Sequence, residues 1–220
     1  MNSQSPEKCR SCGAEGVPLT RGHILPKSLY PFSKRVQGIQ LPTLLECNSC
    51  NNGWSDDEDH FRTVLALAGE PNESVTELWN SKIARGLKRP DAKRRIEDLH
   101  KLIEPTKHDG EDRLKIFPAR DERVLRILKK IVRGLSDYLG IERGIEEKRI
   151  YADVLKFSFP IELRDSWVHY QCAPDIFQCW YHIFNDDEIS AIWLLTFYER
   201  RSFLVSVSAL GAVLVAPSWS

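Results

Sequence analysis

The spacing of apolar positions changes twice along the chain. From Cys9 to about Leu45 they come in short groups between Gly13, Gly16, Pro18, Pro26, Pro31 and Pro42, which predicts loop and hairpin and argues against a long helix. After the turn Asn51-Asn52-Gly53-Trp54, Phe61, Leu65 and Ala68 fall on one helical face. Ser55 and Glu58 before them have capping-box spacing, and Gly69-Glu70-Pro71 should end that helix. Residues 73–103 predict helical pieces broken near Pro90. From about Asp121 to Leu139 the residues Val124, Leu128, Ile131, Leu135 and Leu139 keep helical spacing, with Asp121 placed to cap and Gly140 to stop. Beyond Ile150 the pattern becomes that of strands: Tyr151 to Phe159, Ile176 to Phe184, Ile189 to Phe197 and Phe203 to Leu210, with Glu199-Arg200-Arg201 as the turn between the last two. Residues 1–8 are polar and expected to fray.

A chain of 220 residues can bury a real core as one large domain or two small ones, so disulfides are not required. Its 42% hydrophobic and 28% charged residues, with no long apolar run or apolar leader, place it among soluble globular proteins and predict a cytoplasmic location. Net charge is +0, but unevenly spread: residues 82–133 hold 17 Lys and Arg against 9 Asp and Glu, and residues 134–220 hold 7 against 12. A basic middle suits a polyanion; a solvated helical face accounts for it equally well.

The cysteines carry more information. Cys9 and Cys12 form one C-x-x-C and Cys47 and Cys50 a second, with 34 residues between the pairs. Two such knuckles present four thiolates to one ion, the composition of a structural Zn²⁺ site. Paired disulfides do not suit a reducing cytosol, and a redox C-x-x-C would need a strand-to-helix context that neither pair has. Cys172 and Cys179 lie in apolar surroundings and read as core thiols.

Between the pairs stands Thr20-Arg21-Gly22-His23-Ile24-Leu25-Pro26-Lys27-Ser28-Leu29, and directly after the second pair stands Asn51. This arrangement resembles the zinc-containing branch of the HNH (ββα-metal) endonucleases, whose pattern is C-x-x-C, acid-His-Ile/Val-x-Pro-(Lys)-Ser, then C-x-x-C-Asn. The resemblance covers roughly residues 9–65. The patterns of residues 70–220 predict an α+β region (helices about 73–140, strands about 150–215) that positions substrate or partners, and the resemblance implies a zinc-stapled ββα module over residues 1–69 of this α+β protein. It further implies a DNA-cleaving enzyme, of a kind found in prokaryotic defence, with His23 as general base and Asn51 among the ligands of a catalytic Mg²⁺ or Mn²⁺. That logic agrees with elementary chemistry: an imidazole deprotonates water near neutral pH, and a divalent cation stabilises a leaving phosphate oxygen.

Two positions depart from the pattern. Gly22 stands where the family has an acidic metal ligand, and Pro42 where it has its middle asparagine. If the chain cleaves, Asp56, Asp57 or Glu58 is expected to supply the missing carboxylate, although the three also suit the first turn of a helix. If it does not, it is a catalytically silent zinc-ribbon module that binds nucleic acid or a protein partner, a second copy included. His23 then becomes a structural histidine and Asn51 a turn former. Arg21, Lys27, Arg123, Arg126, Lys130 and Arg133 are the candidate phosphate contacts. Trp54 either stacks on a base or packs on the cysteine lobe, and His60 has no assigned role.

Overall fold

In the computed structural model, which describes residues 7–108, 111–116, 121–155, 159–184 and 189–209, helices and sheets are mixed along the chain. The first unit is an antiparallel hairpin. Strand β1 (Leu19–His23) pairs with β2 (Thr43–Cys47) so that Thr20 faces Glu46, Gly22 faces Leu44 and His23 faces Thr43. Between the strands lie a 3-10 turn (Lys27–Leu29) and a short helix α1 (Phe32–Val36). Strand β2 runs directly into α2 (Asn48–Asn52), so the second cysteine pair, contrary to expectation, does lie at a strand-to-helix junction, where it meets the first pair; α3 (Ser55–Leu67) follows. The expected capping box does not form: Trp54 holds the cap position without a side-chain bond, and Glu58 turns instead to Lys130 Nζ, 2.7 Å away.

The helical pieces anticipated around Pro90 are α4 (Glu73–Leu78), a π-type turn (Trp79–Ile83), α5 (Ala84–Leu87) and α6 (Lys93–His100). The hairpin of β3 (Ile103–His108) and β4 (Glu111–Ile116) is a finding that periodicity does not predict. Helix α7 (Glu122–Tyr138) has the predicted ends. Asp121 Oδ1 accepts from the amides of Arg123 and Val124 at 2.9 and 3.2 Å, and Gly140 leaves the helix at φ 71°, where only glycine is unstrained.

The remaining elements are β5 (Ile150–Val154), α8 (Ile161–Asp165), β6 (Val168–Gln171), β7 (Phe177–Ile183), β8 (Ile189–Phe197) and β9 (Arg201–Ser208). The five strands form one antiparallel sheet in the order β5-β9-β8-β7-β6. Parts of the predicted strands, at 156–158 and 210, lie outside the described residues, as does most of the segment expected to fray. The β8–β9 turn falls on Tyr198-Glu199-Arg200, one residue earlier than predicted. Tyr198 and Glu199 take φ of 48° and 65°, the left-handed values that match the twist of a tight hairpin. Tyr198 is held in that conformation by its hydroxyl, which donates to the Leu29 carbonyl at 2.8 Å inside the core.

Helices α3 and α7 cover one face of this sheet. Phe61 of α3 meets Phe197 edge-on at 5.3 Å between ring centres, and Ile127, Leu128, Ile131 and Leu135 of α7 are wholly buried. Strand β9 alternates cleanly, with Phe203, Val205 and Val207 turned inward. Each such large apolar side chain contributes roughly 1.5–3 kcal/mol on burial. Leu25 and Leu29, just after β1, belong to the same core as Trp193 and Phe203, and Cys172 and Cys179 are buried there as expected. Where α7 crosses the hairpin, a Cβ on Gly134 would stand 2.8 Å from Ile24 Cγ2, so the helix backbone presses on the residue next to His23. Among the described residues no helix is long and apolar enough to cross a membrane.

Candidate metal centre and the adjoining recess

Cys9 and Cys12 sit on the loop before β1, Cys47 ends β2, and Cys50 lies within α2. Backbone bonds fix this meeting: the Arg10 amide donates to the Leu45 carbonyl at 2.9 Å, and the Cys47 amide donates to Cys9 Sγ at 3.2 Å. All four sulfurs lie within 4.8 Å of one another. The Ser49 hydroxyl, 3.1 Å from Cys47 Sγ, and the Cys50 amide hold the Cys47 thiol down at about 6, whereas burial and the neighbouring sulfurs push Cys50 up. Four thiols this close resist full ionisation unless a cation joins them, and they could hold a metal ion such as zinc.

Beside this cluster the hairpin builds a second polar site. Gly22 pairs with Leu44, and Glu46, two residues further along β2, points from the same face of the sheet. Gly22 does not adopt a positive φ; its restriction is one of space. A Cβ there would lie 1.7 Å from Glu46 Oε2 and 3.0 Å from Asn51 Oδ1, so both oxygens converge on the point where a larger residue 22 would begin. Glu46 is 3% exposed, and its other oxygen accepts from the Ser11 hydroxyl, on the first cysteine knuckle. Asn51 is oriented in turn by Thr20. The Thr20 hydroxyl donates to the Glu46 carbonyl at 3.3 Å and accepts from Asn51 Nδ2 at 3.0 Å, which leaves Asn51 Oδ1 directed at Gly22.

His23 ends β1 next to this cradle. With Gly22, Glu46 and Ser11 it lines a recess whose free volume, about 10 Å³, suits one water or ion; Arg10, Lys130 and Arg133 complete the wall. Its Nδ1 is buried without a hydrogen-bond partner. Burial lowers the pKa of the imidazole, the charges of Lys27 and Lys130 lower it further, and Glu58 opposes them. The ring is therefore neutral at neutral pH.

The three acids expected to stand in for residue 22 are disposed differently. Asp57 Oδ2 meets Arg126 at 2.9 Å, Glu58 Oε1 meets Lys130 Nζ at 2.7 Å, and Asp56 is exposed in the first turn of α3. The carboxylate at the cradle belongs to Glu46, which the sequence pattern does not single out. Of the predicted basic contacts, Lys130 and Arg133 line the recess. Arg123 pairs with Asp98 and Asp121 at 3.3 and 3.8 Å, Arg21 is exposed on β1, and Lys27 is exposed near His23. Trp54 packs beneath Lys130, whose Nζ lies 5.5 Å from the ring centre. His60 acquires a clear role: its Nε2 bonds Asp121 Oδ2 at 2.6 Å and ties α3 to the start of α7.

A further basic concavity of about 400 Å³ lies among α3, the π-type turn and α5, lined by Arg62, Lys82, Arg85, Arg89 and Arg95, with Asp59 the one acid among the described residues that line it. Burial and the charges of Arg35 and Arg62 lower the pKa of Lys82, and Lys27 acts on it as it does on His23. Lys27 therefore lies within electrostatic reach of both places. No family model, curated protein or solved structure matches the chain.

Proposed function

We propose that the chain is a metal-dependent phosphodiesterase of HNH type that cleaves DNA, with His23 as general base. The observation that supports this best is a neutral imidazole with an unpartnered Nδ1 that shares a cation-walled recess with Glu46, while Asn51 Oδ1 approaches the Gly22 position that borders the same recess. A general base needs a free nitrogen and a pKa at or below the working pH, and His23 has both. The donor set is also suitable for a hard divalent cation, since a carboxylate and an amide oxygen leave room for waters and phosphate oxygens around Mg²⁺ or Mn²⁺. Such a cation, when bound, supplies the charge that stabilises a leaving phosphate oxygen.

The chain's own groups do the rest. His23 takes the proton of the attacking water. Lys130 and Arg133 attract the phosphate, while Glu58 keeps Lys130 fixed in place. The cysteine cluster, loaded with zinc, holds Ser11 and Asn51 and so keeps the oxygen donors in register. Phosphates of the same strand continue past Lys27 to the basic concavity, where Arg85 and Arg89 receive them. Gly22 favours a second reading, a zinc-ribbon module that binds nucleic acid or a protein without cleaving.

Incubation of plasmid, single-stranded DNA and RNA with Mg²⁺, Mn²⁺ or chelator separates the two. Cleavage of DNA is expected with either metal and not with chelator, and His23→Ala should lower the rate by roughly 10²–10⁴-fold while DNA binding changes little. No cleavage of any substrate by the wild-type chain, or equal cleavage by His23→Ala, would exclude His23 as a base.

A further inference from the structure

We infer that the acidic metal ligand missing from β1 is supplied across the hairpin by Glu46 of β2, which together with Asn51 forms an oxygen-donor site for one hard divalent cation. The inference rests on the reading of the recess as a hydrolytic centre, and its test is separable from that reading.

The argument begins with space. Backbone geometry does not require glycine at position 22, since its φ is not positive. What excludes a side chain is Glu46, whose Oε2 stands 1.7 Å from the point a Cβ would occupy. The two positions are mutually exclusive occupants of one site: a carboxylate rooted at 22 on β1, or one reaching the same place diagonally from 46 on β2. Glycine at 22 is what makes room for the second arrangement.

The surroundings of Glu46 fit a ligand better than a structural acid. A carboxylate that is 3% exposed is unfavourable unless its charge is compensated. Ser11 satisfies one oxygen, and the other borders the Gly22 Cβ position that Asn51 Oδ1, also an acceptor, approaches to 3.0 Å. Two acceptor oxygens bordering one point call for a bridge between them, a cation or a water that donates to both, and metal binding distinguishes the two. Thr20 accepts from the Asn51 amide nitrogen and so orients the amide with its oxygen toward residue 22. The nearby cations of Arg10, Lys130 and Arg133 line the recess, but Lys130 is committed to Glu58.

The test uses the full chain loaded with zinc and reads Mn²⁺ binding by calorimetry and by the Mn²⁺ paramagnetic resonance signal, independently of cleavage. The wild-type chain should bind one Mn²⁺ beyond the zinc. Glu46→Gln keeps the volume and can still accept from Ser11, so zinc content and melting should be unchanged while Mn²⁺ affinity falls about tenfold or more. Gly22→Asp alone should also weaken binding, because its Cβ displaces Glu46. The exchange Gly22→Asp with Glu46→Gly should recover it, since the carboxylate is then rooted on β1; a merely structural Glu46 would give no such rescue. No Mn²⁺ bound beyond the zinc at millimolar concentration, or unchanged affinity in a folded Glu46→Gln, overturns the inference. If Mn²⁺ binding responds as stated but nothing is cleaved, the cation site stands and the nuclease reading falls. If His23-dependent cleavage survives Glu46→Gln intact, the reverse holds.

Discussion

Helix α7 meets a histidine near each end, and the two sites differ in how completely their polar atoms are satisfied. At its N-terminus His60 is 3% exposed and bonded to Asp121, which also caps the helix through two backbone amides. Every interaction there is internal and holds α3 against α7. Toward its other end Lys130, Arg133 and Gly134 approach His23, whose Nδ1 has no partner, beside two oxygens that border the Cβ position of Gly22. A fold normally pairs its buried polar groups because an unpaired one costs about 1–3 kcal/mol. What distinguishes the His23 site is the unpaired ring nitrogen together with the buried carboxylate and the cations that share its recess.

The sharpest way to break this comparison is to remove each ring. His60→Ala leaves Asp121 buried without its partner and opens a cavity, and we expect a loss on the order of 3 kcal/mol in unfolding free energy. His23→Ala removes no hydrogen bond and should change stability by less than about 1 kcal/mol while abolishing the proposed reaction. Urea melts of both variants, read with cleavage rates per folded molecule, give the result. Large destabilisation by His23→Ala with little from His60→Ala would reverse the roles assigned to the two histidines.

Acidity provides a second contrast. Because burial and then Lys27 lower the pKa of His23 below its ordinary 6.5, the folded chain binds fewer protons there than the unfolded one, and stability from this site rises with pH up to about 6.5. In the proposed reaction the cleavage rate should climb tenfold per pH unit on the acid side and level off below pH 6.5. Lys27→Ala, which removes a repelling charge, should move that limb to higher pH. Asp121 shows the same sign of linkage in a more acidic window, from the opposite cause: here the fold favours the charged form. Burial raises its pKa, but the bond and charge of His60 outweigh this and depress it below 3.8, so its stabilisation persists above that value and is lost as pH falls through its folded pKa. A rate profile unmoved by Lys27→Ala would detach the acid limb from His23.

These two sites were not equally legible in the sequence. The helices of residues 55–67 and 122–138 and the strands β7, β8 and β9 follow from long stretches of regular apolar spacing. So does the meeting of the cysteine pairs, which their spacing alone announces. Strand β6 and the β3–β4 hairpin are short or polar and carry little periodic signal. Glu46 was hidden for a different reason. In Thr43-Leu44-Leu45-Glu46-Cys47 it looks like an outward polar residue of a strand, and only the register Gly22 to Leu44 brings it beside Gly22. Acids adjacent in sequence to Asn51 drew attention instead, yet Asp57 and Glu58 serve as partners for α7. The usable signal is a glycine where the resembled pattern has an acid, combined with a carboxylate on the partner strand, and it needs the pairing register to be read.

The same distinction between satisfied and unsatisfied groups divides the basic middle of the chain, and here the expected effect is smallest. Arg123 and Arg126 on α7 already meet Asp98 and Asp57, whereas Arg85 and Arg89 border a concavity whose single acid among the described residues is Asp59, which itself pairs with Arg62 at 2.9 Å. Partly exposed ion pairs such as those of α7 contribute about 0–1 kcal/mol, so replacing their arginines by alanine should leave both stability and DNA affinity nearly unchanged. In the proposed complex, Arg85→Ala and Arg89→Ala should each remove one phosphate contact and reduce the log–log dependence of affinity on salt by roughly 0.9 on duplex DNA. Fluorescence anisotropy across a salt series, with a chelator present to prevent cleavage, measures the slope for all four variants. If Arg123→Ala and Arg126→Ala flatten it and the concavity variants do not, the nucleic acid runs along α7, its arginines exchanging acid partners for phosphates. Equal slopes throughout would assign neither surface to the strand and confine its contacts to Lys130, Arg133 and Lys27 around His23.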